Sequence, residues 1–527
     1  MSKNKAENFM QGVMALMISQ ITIKVLGMVY SLYLTNKSGF GDKGNAICYS
    51  AYQIYIIFLT ISSIGIPNSI SKIIAEELAV GNIKGAKRIL KVAIVIFGSV
   101  GFLCSVVLYS FSGFIAHHFL QIKEAEFILK LLAPSIFWIT ISSVIRGYFN
   151  AKRKIKVSAR VQTIEQVLKT IVTIILVEIV GKITHSNTEL MAISSCLSLV
   201  LASIISFVYI LICFVKNEQY DRSEYILSSY KYNMTIKEIL KKILYIAIPV
   251  AMSSFLVSLS KNIDSFSVIR ILSQKLGEET AKERYGILSS KVELLTMFPT
   301  ALNGSIALAL IPEISRISTL KDSEKMNKNI NFSILLTLFM CIPIMFLMSV
   351  YSNDIISFLY PNANKGGDLL KISAYSIVCL CLIQTTNGIL QGVGRADVYI
   401  KSTCIGLIVK FILNMILIPM SGIYEKGAVI STIVSDIIIC ILLFKKMCKI
   451  LNIKIKIKSK ILKIFISIIL SIIIFEKIKL QFIIKIILNI IIYIILIFVL
   501  KVFSEDELKI FPNGEKMCIF LKKIKIY

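Results

Sequence analysis

The chain has 527 residues, of which 56% are hydrophobic and 17% are charged. A soluble domain carries about 25% charged residues, so this composition excludes an ordinary soluble enzyme. The formal net charge is +28 at pH 7, but the Lys and Arg residues lie in short segments between apolar blocks. This placement argues against a nucleic-acid-binding domain and is typical of loops that orient membrane helices.

Apolar blocks of about 18 to 25 residues follow one another along the chain, which is the length of a helix that crosses a bilayer. They lack the alternating pattern of barrel strands, so an all-α integral membrane protein with about fourteen transmembrane helices is predicted. The predicted spans are 9–34, 44–66, 90–112, 124–145, 161–181, 189–215, 240–262, 286–311, 329–350, 369–390, 397–420, 425–444, 461–477 and 481–501. Residues 264–284 are predicted to form a polar, amphipathic stretch rather than a span.

The distribution of Lys and Arg over the loops predicts the orientation. If the N-terminus is cytoplasmic, the inner segments hold roughly three times as many of these residues as the outer segments. This bias predicts an even number of spans with both termini in the cytoplasm. The first block lacks a small-residue cleavage site and is therefore predicted to be a transmembrane helix rather than a signal peptide.

Two sequence motifs each occur twice, and the number of residues between the two copies is nearly the same for both motifs. Residues 66–73 at the end of the second span have a counterpart in 311–317 at the end of the eighth, and residues 146–151 after the fourth span have a counterpart in 387–392 after the tenth. The echoes predict two parallel six-helix lobes, with two further helices at the C-terminal end. The predicted domains are residues 1–235, residues 236–448, and residues 449–527 with a basic cytoplasmic tail.

Ionisable residues inside the spans are the main functional candidates, because a charge at a helix centre costs about 2.5–3.5 kcal/mol on insertion scales. Lys24 lies in the middle of the first apolar block and is predicted to line a polar cavity, with a structural ion pair as the alternative. Glu165 and Lys169 are four residues apart near the inner end of the fifth span. They are predicted to neutralise each other on one helix face, with a cavity role as the alternative.

Three further charges lie near predicted outer helix ends. Lys261 is close to the end of the seventh span, and Lys291 and Glu293 are close to the start of the eighth. For these residues a cavity role and snorkelling to the interface are equally open. Lysines at membrane depth favour an anionic ligand over a cationic drug, because cation and phosphate attract strongly where water is scarce.

The sequence indicates neither catalysis nor a cofactor. Its eleven cysteines are scattered, mostly inside apolar blocks and without a C-x-x-C spacing, so no metal site or disulfide framework is expected. There is no Walker A sequence, so the chain is not expected to hydrolyse ATP. A transported substrate would then move with an ion gradient, the membrane potential or its own gradient.

Several segments resemble the polysaccharide biosynthesis branch of the multidrug/oligosaccharidyl-lipid/polysaccharide exporter superfamily, which includes MurJ-type lipid II flippases and stage V sporulation protein B. They are residues 24–30 in the first span, 65–76 after the second, and 298–299 and 311–315 in and after the eighth. Lys24 and Lys72 fall where the family has arginines, and Asn68 and Glu76 match the family directly. Tyr30 stands where a second basic residue is expected.

The resemblance implies two lobes around a cavity with alternating access, in which basic residues hold the pyrophosphate of an undecaprenyl-linked sugar. A groove at the last two helices would hold the lipid tail. The charges of the family's eighth helix are not matched in register here. The residues predicted to bind substrate are Lys24, Lys72, Asn68, Glu76, Lys261, Lys291 and Glu293.

The predicted function is thus a flippase of the bacterial cytoplasmic membrane that moves lipid II or a related lipid-linked precursor. Its expected partners are that substrate and membrane lipids, with cell-wall synthesis proteins as further candidates, and no nucleic acid. One alternative is a cation-coupled multidrug antiporter of the same superfamily, which predicts twelve helices and a carboxylate in the first two spans, where none is found. Others are a non-transporting scaffold for wall or spore assembly and a membrane glycosyltransferase.

Overall fold

The computed structural model describes residues 19, 22–152, 154–226, 235–320, 322–453, 455, 457–476, 478, 481–509 and 518, and the regular structure among them is helical without a strand. The first helix, α1, covers 22–36. The following helices are α2 (Gly41–Ser63), α3 (Ile66–Ala79), α4 (Ile83–Phe114), α5 (Ala125–Leu132), α6 (Ser135–Ala151), α7 (Ile155–Ile183), α8 (Thr188–Ile226), α9 (Ile236–Leu276), α10 (Glu278–Gly286), α11 (Glu293–Leu320), α12 (Ser323–Val350), α13 (Ser352–Leu359), α14 (Gly367–Ser373), α15 (Ser376–Gly392), α16 (Ala396–Leu417), α17 (Glu425–Leu451), α18 (Lys458–Glu476), α19 (Phe482–Val499) and α20 (Glu505–Lys509). Short π-helical segments, Ile115–Leu120 and Ile287–Val292, follow α4 and α10.

The predicted all-α membrane fold is confirmed. Each predicted span coincides with a helix or a helix pair wherever its residues are described. Within those ranges nine helices are long and apolar enough to cross a membrane, or ten if α14 and α15, bent by 41°, form one broken span. Four further predicted spans are not among these ten. The helices α7 and α18 carry several charged residues, and α1 and α11 are described only in part.

The chain turns between α2 and α3 at a Gly-Ile-Pro sequence. Gly65 has a φ of 87°, a left-handed conformation that glycine adopts without a steric penalty. Pro67 occupies the first turn of α3, where a missing N–H leaves no hydrogen bond unmade. A Cβ at Gly65 would lie 2.8 Å from the carbonyl oxygen of Ala247, so α9 packs directly against this turn.

The first copies of the two recurring motifs pack against each other where α3 meets α6. A Cβ on Gly147 would lie 2.9 Å from the carbonyl oxygen of Pro67 and 3.0 Å from the Cβ of Ile70. Glycine therefore allows the two backbones to approach closely. The apolar cluster around this contact includes Ile66, Ile70, Ile73, Ile89, Val144, Tyr148 and Ile243.

The described helices group into two compact units. The first consists of residues 1–290, 360–363 and 414–425, and the second of residues 291–359, 364–413 and 426–527. The helix α9 belongs to the first unit, where it packs against α2 and α3. The predicted boundary between the two lobes, at 235/236, rests on the sequence repeat, whereas the boundary between the two units rests on packing. The repeat stays a prediction.

The second unit has a core formed by α11, α12 and α15 with α18 and α19. Asn303 donates a hydrogen bond to the hydroxyl of Thr385 (3.1 Å) and accepts one from Thr337 (3.2 Å). Tyr493 of α19 donates to the carbonyl oxygen of Phe339 in α12 (2.8 Å). Side chains of α18 and α19 thus belong to the main apolar core of this unit. Most of the predicted basic tail lies outside the described residues.

Two helical segments extend beyond the ends of the predicted spans. The helix α9 continues past 262 to Leu276, so Lys261 lies in its interior. Lys291 and Glu293 likewise lie inside a continuous helical stretch that begins at Glu278. The polar stretch 264–284 stays helical because its charges find partners within the protein. The ammonium group of Lys282, for example, lies 2.7 Å from a carboxylate oxygen of Glu124.

We expect Gly147→Ala to lower the thermal stability of the purified protein, because the added methyl group would meet the backbone of Pro67. Such overpacking costs about 1–3 kcal/mol. The matched control is Gly98→Ala on α4, where the new methyl group would meet Ile141 at an ordinary 3.8 Å. Melting followed by fluorescence-detected size-exclusion chromatography measures both. Equal melting temperatures for the two variants would contradict the close contact.

Candidate functional site

A cavity of about 610 Å³ lies within the first unit. Side chains of α2, α3, α6, α7 and α8 enclose it, with one residue each from α1 and α9, namely Ile23 and Val250. Its volume is in the range of cavities that bind small molecules. The polar lining consists of Tyr52, Tyr55, Ser63, Asn68, Ser143, Arg146, Asn150, Ser158, Gln162, Glu165, Gln166 and Lys169.

Lys169 is held in this cavity by two aromatic rings. Its Nζ atom lies 4.7 Å from the ring centroid of Tyr30 on α1 and 5.4 Å from that of Tyr52 on α2. Both distances are within the range of a cation–π interaction, which strengthens when water is excluded. Lys169 therefore joins α7 to α1 and α2 and brings an ammonium group into the cavity.

Glu165 lies one helical turn before Lys169 and brings a carboxylate into the same cavity. It accepts a hydrogen bond from Ser206 of α8 at 3.5 Å. Arg146 and Lys169 act on it electrostatically, but among the described residues it forms no direct ion pair. The predicted neutralising pair on one helix face is thus replaced by a looser cluster, because Lys169 turns towards the tyrosines.

Arg146 comes from α6. The sequence placed it at the start of a cytoplasmic loop, whereas α6 extends to Ala151 and turns Arg146 towards the cavity. Its Nη2 atom donates to the hydroxyl of Ser143 (2.8 Å). Its Nε atom is buried and has no hydrogen-bond partner among the described residues.

Neutral polar groups complete the lining. The hydroxyl of Ser158 donates to the Asn150 side chain (2.7 Å), which ties α7 to α6 at the cavity. The amides of Asn68, Gln162 and Gln166 supply further donors and acceptors. The cavity therefore offers two cations, one carboxylate and several uncharged groups suited to hydroxyl and amide ligands.

Lys261 lies close to this region. Its Nζ atom donates to the hydroxyl of Tyr49 (3.2 Å) and lies 5.8 Å from the same ring. It also acts electrostatically on Tyr52, which lines the cavity. These contacts place Lys261 beside a tyrosine of α2, whereas its cavity role and its position relative to the membrane interface stay predictions.

The other predicted residues of the first unit differ in position. Asn68 lines the cavity at the start of α3. Lys24 on α1 and Lys72 and Glu76 on α3 are exposed and are not part of the cavity wall. The helices were thus identified correctly, but α1 contributes Ile23 to the lining rather than Lys24.

Lys291 and Glu293 belong to the second unit. Lys291 is fully buried, and its ammonium group donates to the carbonyl oxygen of Lys365 (3.3 Å). Glu293 is half-buried at the start of α11. Lys291 lies in the π-helical segment that precedes α11, a type of segment that is frequent at functional sites.

Sequence reasoning missed Arg146 and Tyr52 as cavity residues, and Tyr30 as a ring that holds Lys169. For Arg146 the helix end was set several residues too early. For Tyr30 and Tyr52 the signal was available, because both are tyrosines inside apolar spans. Their relation to Lys169 depends on three helices meeting, which spacing within one helix does not reveal.

Long apolar helices around a charged and hydroxyl-lined cavity define a multi-pass membrane protein with a transporter fold. A family profile described as "Polysaccharide biosynthesis protein" matches residues 9–318, more than half of the chain. The chain belongs to this polysaccharide biosynthesis protein family. A second profile, MatE, matches residues 249–416.

Two curated relatives come from Bacillus subtilis (strain 168). The lipid II flippase MurJ is 21% identical over 439 residues, which cover 81% of this chain and 80% of MurJ. Stage V sporulation protein B is 23% identical over 450 residues, which cover 85% of each chain.

Solved structures share the fold. The inward closed conformation of a lipid II flippase MurJ matches with a TM-score of 0.71 and 17% identity, and covers 92% of this chain and 98% of that one. An inward-facing multidrug resistance MATE transporter matches with a TM-score of 0.61 and 12% identity, and covers 82% of this chain and 98% of the other.

We expect a cysteine at position 162, introduced as Gln162→Cys into a cysteine-free background, to react with a charged thiosulfonate in membrane vesicles. The cavity supplies the water that a thiolate needs. The matched control on the same helix is Ile175→Cys, at a half-exposed apolar position that lipid would cover. Equal labelling of the two positions would contradict a hydrated cavity.

Proposed function

We propose that this protein is a flippase that moves an undecaprenyl-pyrophosphate-linked sugar from the inner to the outer leaflet by alternating access. The substrate class is lipid II or a related precursor of the cell wall or of a polysaccharide. The single observation that carries the proposal is the cavity of the first unit, where Arg146 and Lys169 outnumber Glu165 inside an apolar bundle.

The chemistry of that cavity suits a phosphorylated sugar. Arginine and lysine attract phosphate strongly where the effective dielectric constant is low. The amides and hydroxyls of the lining can exchange hydrogen bonds with sugar hydroxyl and acetamido groups. The exposed apolar faces of the helices suit a lipid tail that stays in the bilayer while its head group crosses.

The remaining predicted residues act around the cavity in this proposal. Lys24, Lys72 and Lys261 guide the anionic head group towards the cavity, and Asn68 contacts it there. Glu76 sets the local charge balance beside Lys72. Lys291 and Glu293 are proposed to take part from the second unit, within a six-helix lobe that spans residues 236–448.

The proposal includes the type of activity, the cellular location and the partners. The protein acts as a transporter rather than as an enzyme, without a cofactor, in the bacterial cytoplasmic membrane with both termini in the cytoplasm. Its partners are the lipid-linked substrate and membrane lipids, and cell-wall synthesis proteins that supply or use that substrate.

We expect Lys24→Ala and Lys24→Glu to abolish complementation of a flippase-depleted strain while the protein level stays normal. The loss follows from removing a cation on the path of a pyrophosphate. The control is Lys91→Ala, which removes another exposed lysine, at the start of α4. Normal growth of both Lys24 variants would refute the role of Lys24.

The transport activity itself is tested in cells depleted of the protein. The accessibility of lipid II to an outer-leaflet probe should fall, and the inner-leaflet pool should rise. Unchanged accessibility in both leaflets would rule out lipid II as the substrate.

A cation-coupled multidrug antiporter is the second candidate, favoured by the MatE match and by Glu165 in the cavity. The helix α2 also includes Asp42 in its first turn, which the predicted span 44–66 left out. Efflux of a cationic dye that depends on an ion gradient and is lost in Glu165→Gln would favour this candidate.

A further inference from the structure

The guanidinium group of Arg146 is incompletely satisfied. Its Nη2 atom donates to Ser143, while its Nε atom is buried and lacks a partner among the described residues. A buried donor without a partner is costly, so proteins rarely leave one unless a ligand or an ordered water supplies the acceptor. The planar guanidinium group matches the geometry of a phosphate, which accepts two parallel hydrogen bonds from it.

The carboxylate in the described lining of the cavity belongs to Glu165, which forms no direct ion pair among the described residues. Glu165 has a hydrogen bond from Ser206 at 3.5 Å, which is long, and is attracted electrostatically by Arg146 and Lys169. Lys169 is meanwhile held over the rings of Tyr30 and Tyr52. The charges of Arg146 and Glu165 therefore attract each other without a direct ion pair, so neither side chain is fixed by contact with the other.

We propose that Arg146 is the principal oxyanion ligand of this cavity and that Glu165 is its resident counter-charge, which a diphosphate group replaces when it binds. This inference rests on the proposed function, because it assigns the phosphate end of that substrate. Arg146 donates from Nε and Nη to the phosphate, and Lys169 supplies the second cation.

Glu165 also selects among anions. The three side chains Arg146, Glu165 and Lys169 carry a formal net charge of +1, so a singly charged anion gains little attraction in exchange for the repulsion from Glu165. A diphosphate carries more charge and reaches both cations. The same repulsion weakens binding enough to allow release, which a transport site requires.

The test is a binding measurement on the full-length protein in nanodiscs, with undecaprenyl diphosphate and inorganic pyrophosphate as probes. We expect Arg146→Gln to weaken binding of both probes about 10- to 100-fold, since a hydrogen-bonded charge is lost, and Arg146→Lys to restore part of it. Glu165→Gln should tighten binding several-fold. Arg270→Gln, which removes an exposed arginine that stacks on Phe266, should bind like the wild type.

The outcomes separate the subsite from the function. If the wild type binds undecaprenyl diphosphate and a folded Arg146→Gln variant binds it equally well, the subsite is refuted and the flippase proposal stands. If inorganic pyrophosphate binds through Arg146 but the lipid does not, the subsite stands and the proposed substrate fails. Weaker binding by Glu165→Gln would refute the counter-charge role. Melting curves of Arg146→Lys and Arg146→Gln in the same nanodiscs identify a folding defect.

Discussion

The need to keep ionised side chains inside an apolar helical bundle is the constraint on which the rest of this structure depends. Arg146, Glu165 and Lys169 lie on α6 and α7, within helices whose outer faces are apolar. An isolated charge at such depth is expensive, so charges are tolerated where they face a hydrated cavity and one another. The cavity and the near balance of its charges are therefore two consequences of one energetic requirement.

The backbone provides the space for that cavity through glycine and proline. The turn at Gly65 and Pro67 ends α2, begins α3 and places Asn68 at the cavity wall. Gly147 brings α6 against the same turn, one residue after Arg146. The two recurring motifs thus have different roles at one location. The first forms the turn that places Asn68 at the cavity wall, and the second packs α6, which carries Arg146, against that turn.

The sequence predicted the fold well and the site incompletely, for physical reasons. Apolar length and loop charge identify helices, since both reflect the hydrocarbon core. Helix ends were predicted less accurately, because helices continue beyond the apolar blocks, so that α6 includes Arg146 and α9 includes Lys261. Asn68 was found through its motif. Lys24 was predicted to line the cavity, but Ile23 is the residue of α1 in its wall. The rotation of α1 depends on its packing against α7, which the sequence of one helix alone does not encode.

The contact between Tyr30 and Lys169 explains structurally why the first helix can lack the second basic residue that the family pattern predicts. A basic residue is expected at this position of the first helix, and a tyrosine replaces it. The ring of Tyr30 instead receives Lys169 from α7 at 4.7 Å, so a cation still lies beside α1. A positive charge supplied by a neighbouring helix has the same effect on an anionic ligand as one supplied by α1 itself. Since Tyr30 and Tyr52 also hold Lys169 in place, the substitution changes which helix carries the cation, and an ammonium group still lies beside α1.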